Sequence, residues 1–154
     1  MTTERTNESA ATESIDTHDG AGMPFISDQR KRARTMSSIS VIGLGGMAHA
    51  IAARAVAGGN SVELIGRDAA KAQDLAATLG GGATVGTFGA VPVGDIVVLA
   101  VPYASAVPVV AEYGDALAGK FIIDISNTFN ADATGLVTAE GMSGAQEIAK
   151  AVPA

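Results

Sequence analysis

Between Ile39 and Ala57 the chain passes from an apolar run, through a glycine-dense turn, into a stretch whose Ala, Ile and Val residues recur at helical spacing. The turn reads Gly43-Leu44-Gly45-Gly46-Met47-Ala48 and fits the pattern Gly-x-Gly-x-x-Gly/Ala. Each small residue has a separate mechanical duty there. Gly43 allows the sharp exit from the strand, Gly45 lets the backbone approach a pyrophosphate with no Cβ in the way, and Ala48 lets helix and strand pack closely. The helix after the turn offers free N–H groups and a partial positive charge to a diphosphate. Such a string is weak alone in a chain with 19 Gly. Its place after a strand and at the head of a helix gives it meaning.

The rest of the chain supplies the matching context. Short apolar runs bounded by Gly, Asn or Asp alternate with longer helical stretches, which predicts strands near Ile39–Gly43, Ser61–Ile65, Ala83–Thr87, Asp95–Val101 and Phe121–Ile125. Helices are expected near Gly46–Ala57, Asp68–Leu79, Tyr103–Leu117 and Ser143–Val152. Right-handed crossovers then give an α/β, Rossmann-type doubly wound parallel sheet of five strands in the order 3-2-1-4-5. Thr87–Gly94, with Pro92, is too short for a long helix, so the third and fourth strands are joined by a compact turn or a short helix. Residues 1–38 read as a disordered polar tail and 39–154 as the dinucleotide-binding domain. Met36, just ahead of the first strand, is a candidate natural start.

Composition narrows the partners. With 47% hydrophobic and 17% charged residues the chain can bury an ordinary core, and a net charge of −6 argues against nucleic acid. The absence of Cys excludes thiol chemistry and disulfides, and makes the cytoplasm the default location. Arg30–Arg34 ahead of Ile39 resembles the start of a secretory signal, but Gly43, Gly45, Gly46, His49 and Arg54 interrupt the apolar stretch behind it. No run approaches the ~20 apolar residues of a membrane span. The expected partners are a small-molecule dinucleotide and a redox co-substrate, with a homodimer as the protein–protein option.

The choice of dinucleotide turns on the end of the second strand. An NAD site places an acid there, about 20 residues after the first glycine, to hold the ribose hydroxyls. Glu63 lies at that spacing, but Leu64 and Ile65 carry the strand past it to Gly66-Arg67. Arg67, with Lys71 four residues on, instead presents positive charge suited to a 2′-phosphate. Residues 36–154 hold only five Lys and Arg, so two at one corner is a concentration that favours NADP(H). The competing reading makes Arg67 and Lys71 a solvated helix start and leaves the ribose to Asp68 or Glu63.

Other polar residues near this edge have plainer roles. His49 reads as a helix-surface or phosphate-side hydrogen-bonding group, and with His18 alone elsewhere no metal cluster can be assembled. Tyr103 either covers the nicotinamide or simply packs at a helix start. Ser126, Asn127 and Thr128 follow the fifth strand where open sheets bind ligands, and Asn127 is a candidate contact for the carboxamide or substrate. Asp124 is expected to order its own loop through backbone N–H groups.

Together, Ile42-Gly-Leu-Gly-Gly-Met-Ala, Gly66-Arg67 with Lys71, Val97-Val98-Leu99-Ala100-Val101-Pro102 and Asp124-Ile125-Ser126-Asn127 resemble the NADP oxidoreductases that use deazaflavin coenzyme F-420. The resemblance runs from about Ile39 to the last residue; related imine reductases have versions of the Gly-Arg and Ala-Val-Pro elements. It implies that Gly43, Leu44, Gly45, Gly46, Met47 and Ala48 line the pyrophosphate, that Arg67 with Lys71 binds the 2′-phosphate, and that Ala100, Val101 and Pro102 approach the nicotinamide. It further implies hydride exchange between NADPH and the deazaflavin, in which the protein supplies geometry more than acid–base groups, so no catalytic side chain is nominated. Such proteins usually continue into a sixth strand, so relative to the family the chain looks incomplete at its C-terminus. An imine or pyrroline-carboxylate reductase cofactor domain and a non-catalytic dinucleotide-sensing module are the alternatives.

Overall fold

The computed structural model describes residues 37–152. The expected tail at 1–38 therefore falls almost wholly outside the described residues. Five parallel strands form one sheet: β1 (Ser38–Ile42), β2 (Ser61–Gly66), β3 (Ala83–Thr87), β4 (Ile96–Leu99) and β5 (Phe121–Asp124), in the order β3-β2-β1-β4-β5. The helices are α1 (Gly46–Ala57), α2 (Ala69–Leu79), α3 (Tyr103–Tyr113) and α4 (Gly144–Ala151), with a 3-10 turn at Gly114–Leu117. This is the predicted order. In register, Ile42 stands opposite both Ile65 and Leu99, so β1, β2 and β4 end together and their carboxyl ends make one edge.

The strands are apolar along their length because both faces are covered. Side chains alternate between two cores. Val41, Val62, Leu64 and Val98 lie on one face with Ala48 and Ala52 of α1. On the other, Ile42, Ile65, Val97 and Leu99 meet Ala106, Val109, Val110 and Tyr113 of α3 and Ile148 of α4. Ala48 and Ala52 have no exposed surface, so α1 rests on the sheet through small side chains. Among the described residues no helix is long and apolar enough to cross a membrane.

Several boundaries differ from expectation for local reasons. Asp68 is not in α2 but caps it, accepting from Lys71 N at 3.0 Å. α3 stops at Tyr113 because Gly114 turns to a φ of +48°, and the chain continues as the 3-10 turn. β4 begins after Asp95, whose N–H and carboxylate both bond the Ser38 hydroxyl. α4 is entered through a capping box in which Ser143 and Gln146 bond each other's backbone N–H.

The β3–β4 link contains no helix. It is held by a polar knot inside the sheet: the buried Ser40 hydroxyl donates to Glu63, which also accepts from Val93 N at 3.0 Å, while Gly94 N donates to Ser40 Oγ at 2.9 Å. At Gly94 a Cβ would strike the β1 backbone at Ile39 and Ser40, so glycine is required for the link to lie this close.

Candidate nucleotide-binding site

At the carboxyl edge of the sheet a cleft of about 320 Å³ opens between the β1–α1 turn, the end of β2 and the start of α3. Gly43 shapes its floor. Its φ is +125°, and a Cβ there would collide with the Ala100 carbonyl, so this glycine serves both the turn and the close approach of β1 to the end of β4. The strand ends are tied by Gly43 N to Ile65 O and Ala100 N to Ile42 O, each at 2.8 Å.

Gly45 is different. It is the N-cap of α1 with φ −85° and ψ −179°, and no protein atom lies within 4 Å of where its Cβ would stand. Neither a capping side chain nor a first-turn acid occupies that end of α1. The N–H groups of Gly46, Met47 and Ala48 have no partner among the described residues. Open space over the exposed Gly46 and Met47 at a positive helix end fits a pyrophosphate, whereas Ala48 is buried.

The other wall is set by Gly66, where a Cβ would run into the Leu44 side chain; the missing side chain lets Leu44 lie across the end of β2. Beyond it stands Arg67, 71% exposed, its guanidinium 4.9 Å from the centre of the Phe88 ring and its Nη2 3.4 Å from Glu112 Oε2. Phe88 packs edge-on against Tyr113, with centroids 5.5 Å apart. Burial raises the Tyr113 hydroxyl pKa above its ordinary value, and this hydroxyl lies near the Gly89 backbone without a hydrogen bond of good geometry. Lys71 completes the corner; its ammonium has no ion pair among the described residues.

The cleft thus brings together Gly43, Leu44, Gly45, Arg67, Lys71, Val101 and Pro102 of the residues expected from sequence. Gly46 and His49 line a neighbouring groove of about 320 Å³ that shares Gly45 and Lys71 with it. Ala48 and Ala100 do not line the cleft: Ala48 is fully buried on the sheet-facing side of α1, and Ala100 packs against the same core. Met47 is 64% exposed, outside both hollows. Asn127 is also outside, its Oδ1 accepting from Phe129 N at 2.9 Å in a local turn.

Glu63 is only 7% exposed and committed to Ser40 and Val93, so it does not reach a ribose at the sheet edge. Asp124 orders its own loop, accepting from Ser126 N and Oγ at 3.0 and 2.9 Å. Tyr103 turns its hydroxyl to Glu147 on α4, and its ring packs where Gly144 leaves room. That hydrogen bond, reinforced by desolvation and the Glu147 charge, pushes the Tyr103 pKa up to about 12. It also holds the Glu147 carboxyl below its usual range, helped by Ala139 N–H. Sequence reasoning missed Phe88, Glu112 and Glu147, whose roles arise from contacts far apart in the chain. For Phe88 a signal was present, since it is an aromatic directly after a strand that ends at the carboxyl edge of the sheet.

The family model for NADP oxidoreductase, coenzyme F420-dependent, matches residues 38–128. Among solved structures, a hypothetical protein from Sinorhizobium meliloti superposes with a TM-score of 0.65 at 22% identity, over 79% of this chain and 59% of that one. A pyrroline-5-carboxylate reductase from Coxiella burnetii gives 0.53 at 23% identity, over 64% of this chain and 38% of that one. An imine reductase from Myxococcus stipitatus in complex with NADP+ gives 0.51 at 25% identity, over 60% and 32%. The chain therefore spans less than two thirds of the length of each of these structures. No curated protein matches it. The match of the family model over more than half of the chain, on a sheet of the expected order with the glycine turn at its carboxyl edge, identifies the chain as a member of the coenzyme F420-dependent NADP oxidoreductase family.

Proposed function

We propose that the cleft binds NADP(H), with the pyrophosphate over the Gly43–Met47 turn, the 2′-phosphate at Arg67 and Lys71, and the nicotinamide toward Val101 and Pro102, whereas Ala100 and Asn127 stand back from it. The redox partner in this reading is deazaflavin coenzyme F-420. The observation that carries it is the continuity of one cleft from the open backbone at Gly45 to the cationic corner at Arg67 and to Val101-Pro102. When bound, NADPH supplies the hydride. The protein's own contribution is positional: α1 presents backbone N–H groups to the diphosphate, Arg67 and Lys71 bring charge to the adenosine end, and Val101 and Pro102 give the far end an apolar wall.

Titration with NADPH and NADH tests the cofactor. Arg67→Ala removes a charge-assisted phosphate contact worth about 1.5–3 kcal/mol and is expected to weaken NADPH far more than NADH. Equal losses for both ligands would end the NADP assignment. Following absorbance with NADPH and oxidised deazaflavin tests the partner, and no turnover with intact NADPH binding would favour a dinucleotide-sensing module or a truncated enzyme instead. The likeness to imine and pyrroline-5-carboxylate reductase structures supports a second reading, in which the same cofactor half serves a cyclic imine; turnover of that substrate class instead of the deazaflavin distinguishes it.

A further inference from the structure

We propose that Glu112 is a built-in competitor for the 2′-phosphate, a carboxylate that pairs with the Arg67 guanidinium until a dianionic phosphate displaces it, and so sets how strongly the site discriminates NADP(H) from NAD(H). The inference rests on the NADP(H) reading above.

Glu112 lies in the last turn of α3, 45 residues from Arg67 in sequence, and reaches it from the helix that flanks the cleft. The contact is slight: one carboxylate oxygen meets one guanidinium nitrogen at 3.4 Å, and the two side chains are 49% and 71% exposed. An ion pair of that kind contributes little and opens easily. The orientation of Arg67 has a separate source, the face of Phe88 at 4.9 Å, itself fixed edge-on by Tyr113. Removing the Glu112 charge therefore leaves the guanidinium where it is.

A phosphate monoester outcompetes a single carboxylate at this corner. It brings about two negative charges and three acceptor oxygens, which match the guanidinium fork and the Lys71 ammonium together. Binding must nevertheless break or share the Glu112 contact and place the phosphate beside a like charge. A ligand with a bare ribose meets neither cost, because it leaves the Arg67–Glu112 pair intact. Glu112 accordingly lowers NADPH affinity while leaving NADH affinity nearly unchanged.

The test is titration of wild type and Glu112→Gln with NADPH and NADH at low and high salt. The variant is expected to bind NADPH about two- to fivefold more tightly at low salt, with a smaller gain at high salt. NADH affinity should change by less than about a factor of two. Unchanged or weaker NADPH binding by the variant, with wild type still preferring NADPH, would overturn the role of Glu112 alone. A wild type that binds both ligands equally would overturn the NADP(H) reading and this inference together.

Discussion

The Ser40 hydroxyl donates to the Glu63 carboxylate at 2.5 Å inside the sheet, joining the central strand to its neighbour through side chains as well as backbone. The same hydroxyl accepts from Gly94 N, and the same carboxylate from Val93 N, so one buried pair pins the whole β3–β4 link. A carboxylate this enclosed is stable only while its donors are in place.

Ser40→Ala leaves Gly94 N without its acceptor and Glu63 short of a donor. The expected loss is roughly 1–3 kcal/mol of folding stability, read as a lower urea midpoint. NADPH affinity of the folded variant should be unchanged, because neither residue lines the cleft. A variant as stable as wild type would show that the knot contributes nothing net.

The two leading glycines of the turn separate folding from binding. Gly43→Ala must place a Cβ against the Ala100 carbonyl at a φ of +125°, so the folded protein itself should be badly destabilised. Gly45→Ala adds a Cβ into open space at a φ of −85°, so its folding stability should stay within about 1 kcal/mol of wild type. That methyl stands where a diphosphate would approach, and NADPH affinity is expected to fall at least tenfold, about 1.4 kcal/mol. Unaltered binding by Gly45→Ala would move the pyrophosphate elsewhere.

What was legible in the sequence was whatever depends on neighbours along the chain. Strands covered on both faces leave unbroken apolar runs such as Val97-Val98-Leu99, and the glycine turn marks which end of the sheet is open, so the topology and the edge that carries the cleft could both be read. Asn127 was placed at the right edge, but its side chain is spent on Phe129 N, a competition that only the loop's own geometry decides. Glu63 had the spacing of a ribose ligand and a buried partner 23 residues away that no local pattern reveals. Glu112 was invisible for the same reason: α3 had to be laid beside β2 before the two charges could meet.

The Tyr103–Glu147 bond joins α3 to α4 and carries a pH signature on both sides of neutrality. The Glu147 carboxyl is held below its ordinary 4.5 in the folded chain, so its stabilisation is present above that value and is lost as pH falls through the depressed one. The Tyr103 pKa is raised from 10.0 to about 12, so its contribution is complete below pH 10 and disappears as pH rises toward 12. Ultraviolet titration of the phenols should show a late-ionising tyrosine that Glu147→Gln moves back toward 10. No movement would mean that the two side chains do not share a proton-dependent bond.

Asp68 decides between the two readings of the cationic corner. As the N-cap of α2 it accepts from Lys71 N, and Asp68→Ala is expected to cost roughly 0.5–2 kcal/mol of stability. Asp68→Ser keeps a capping oxygen and should restore most of that loss while still lacking a carboxylate. If the cap is its whole duty, both variants should bind NADH nearly as wild type does. A ribose ligand behaves otherwise: losing a charged hydrogen bond to the 2′- or 3′-hydroxyl weakens NADH about tenfold or more, and serine does not replace it. A loss of that size in both variants would give the ribose to Asp68 and reduce Arg67 and Lys71 to the solvated start of a helix.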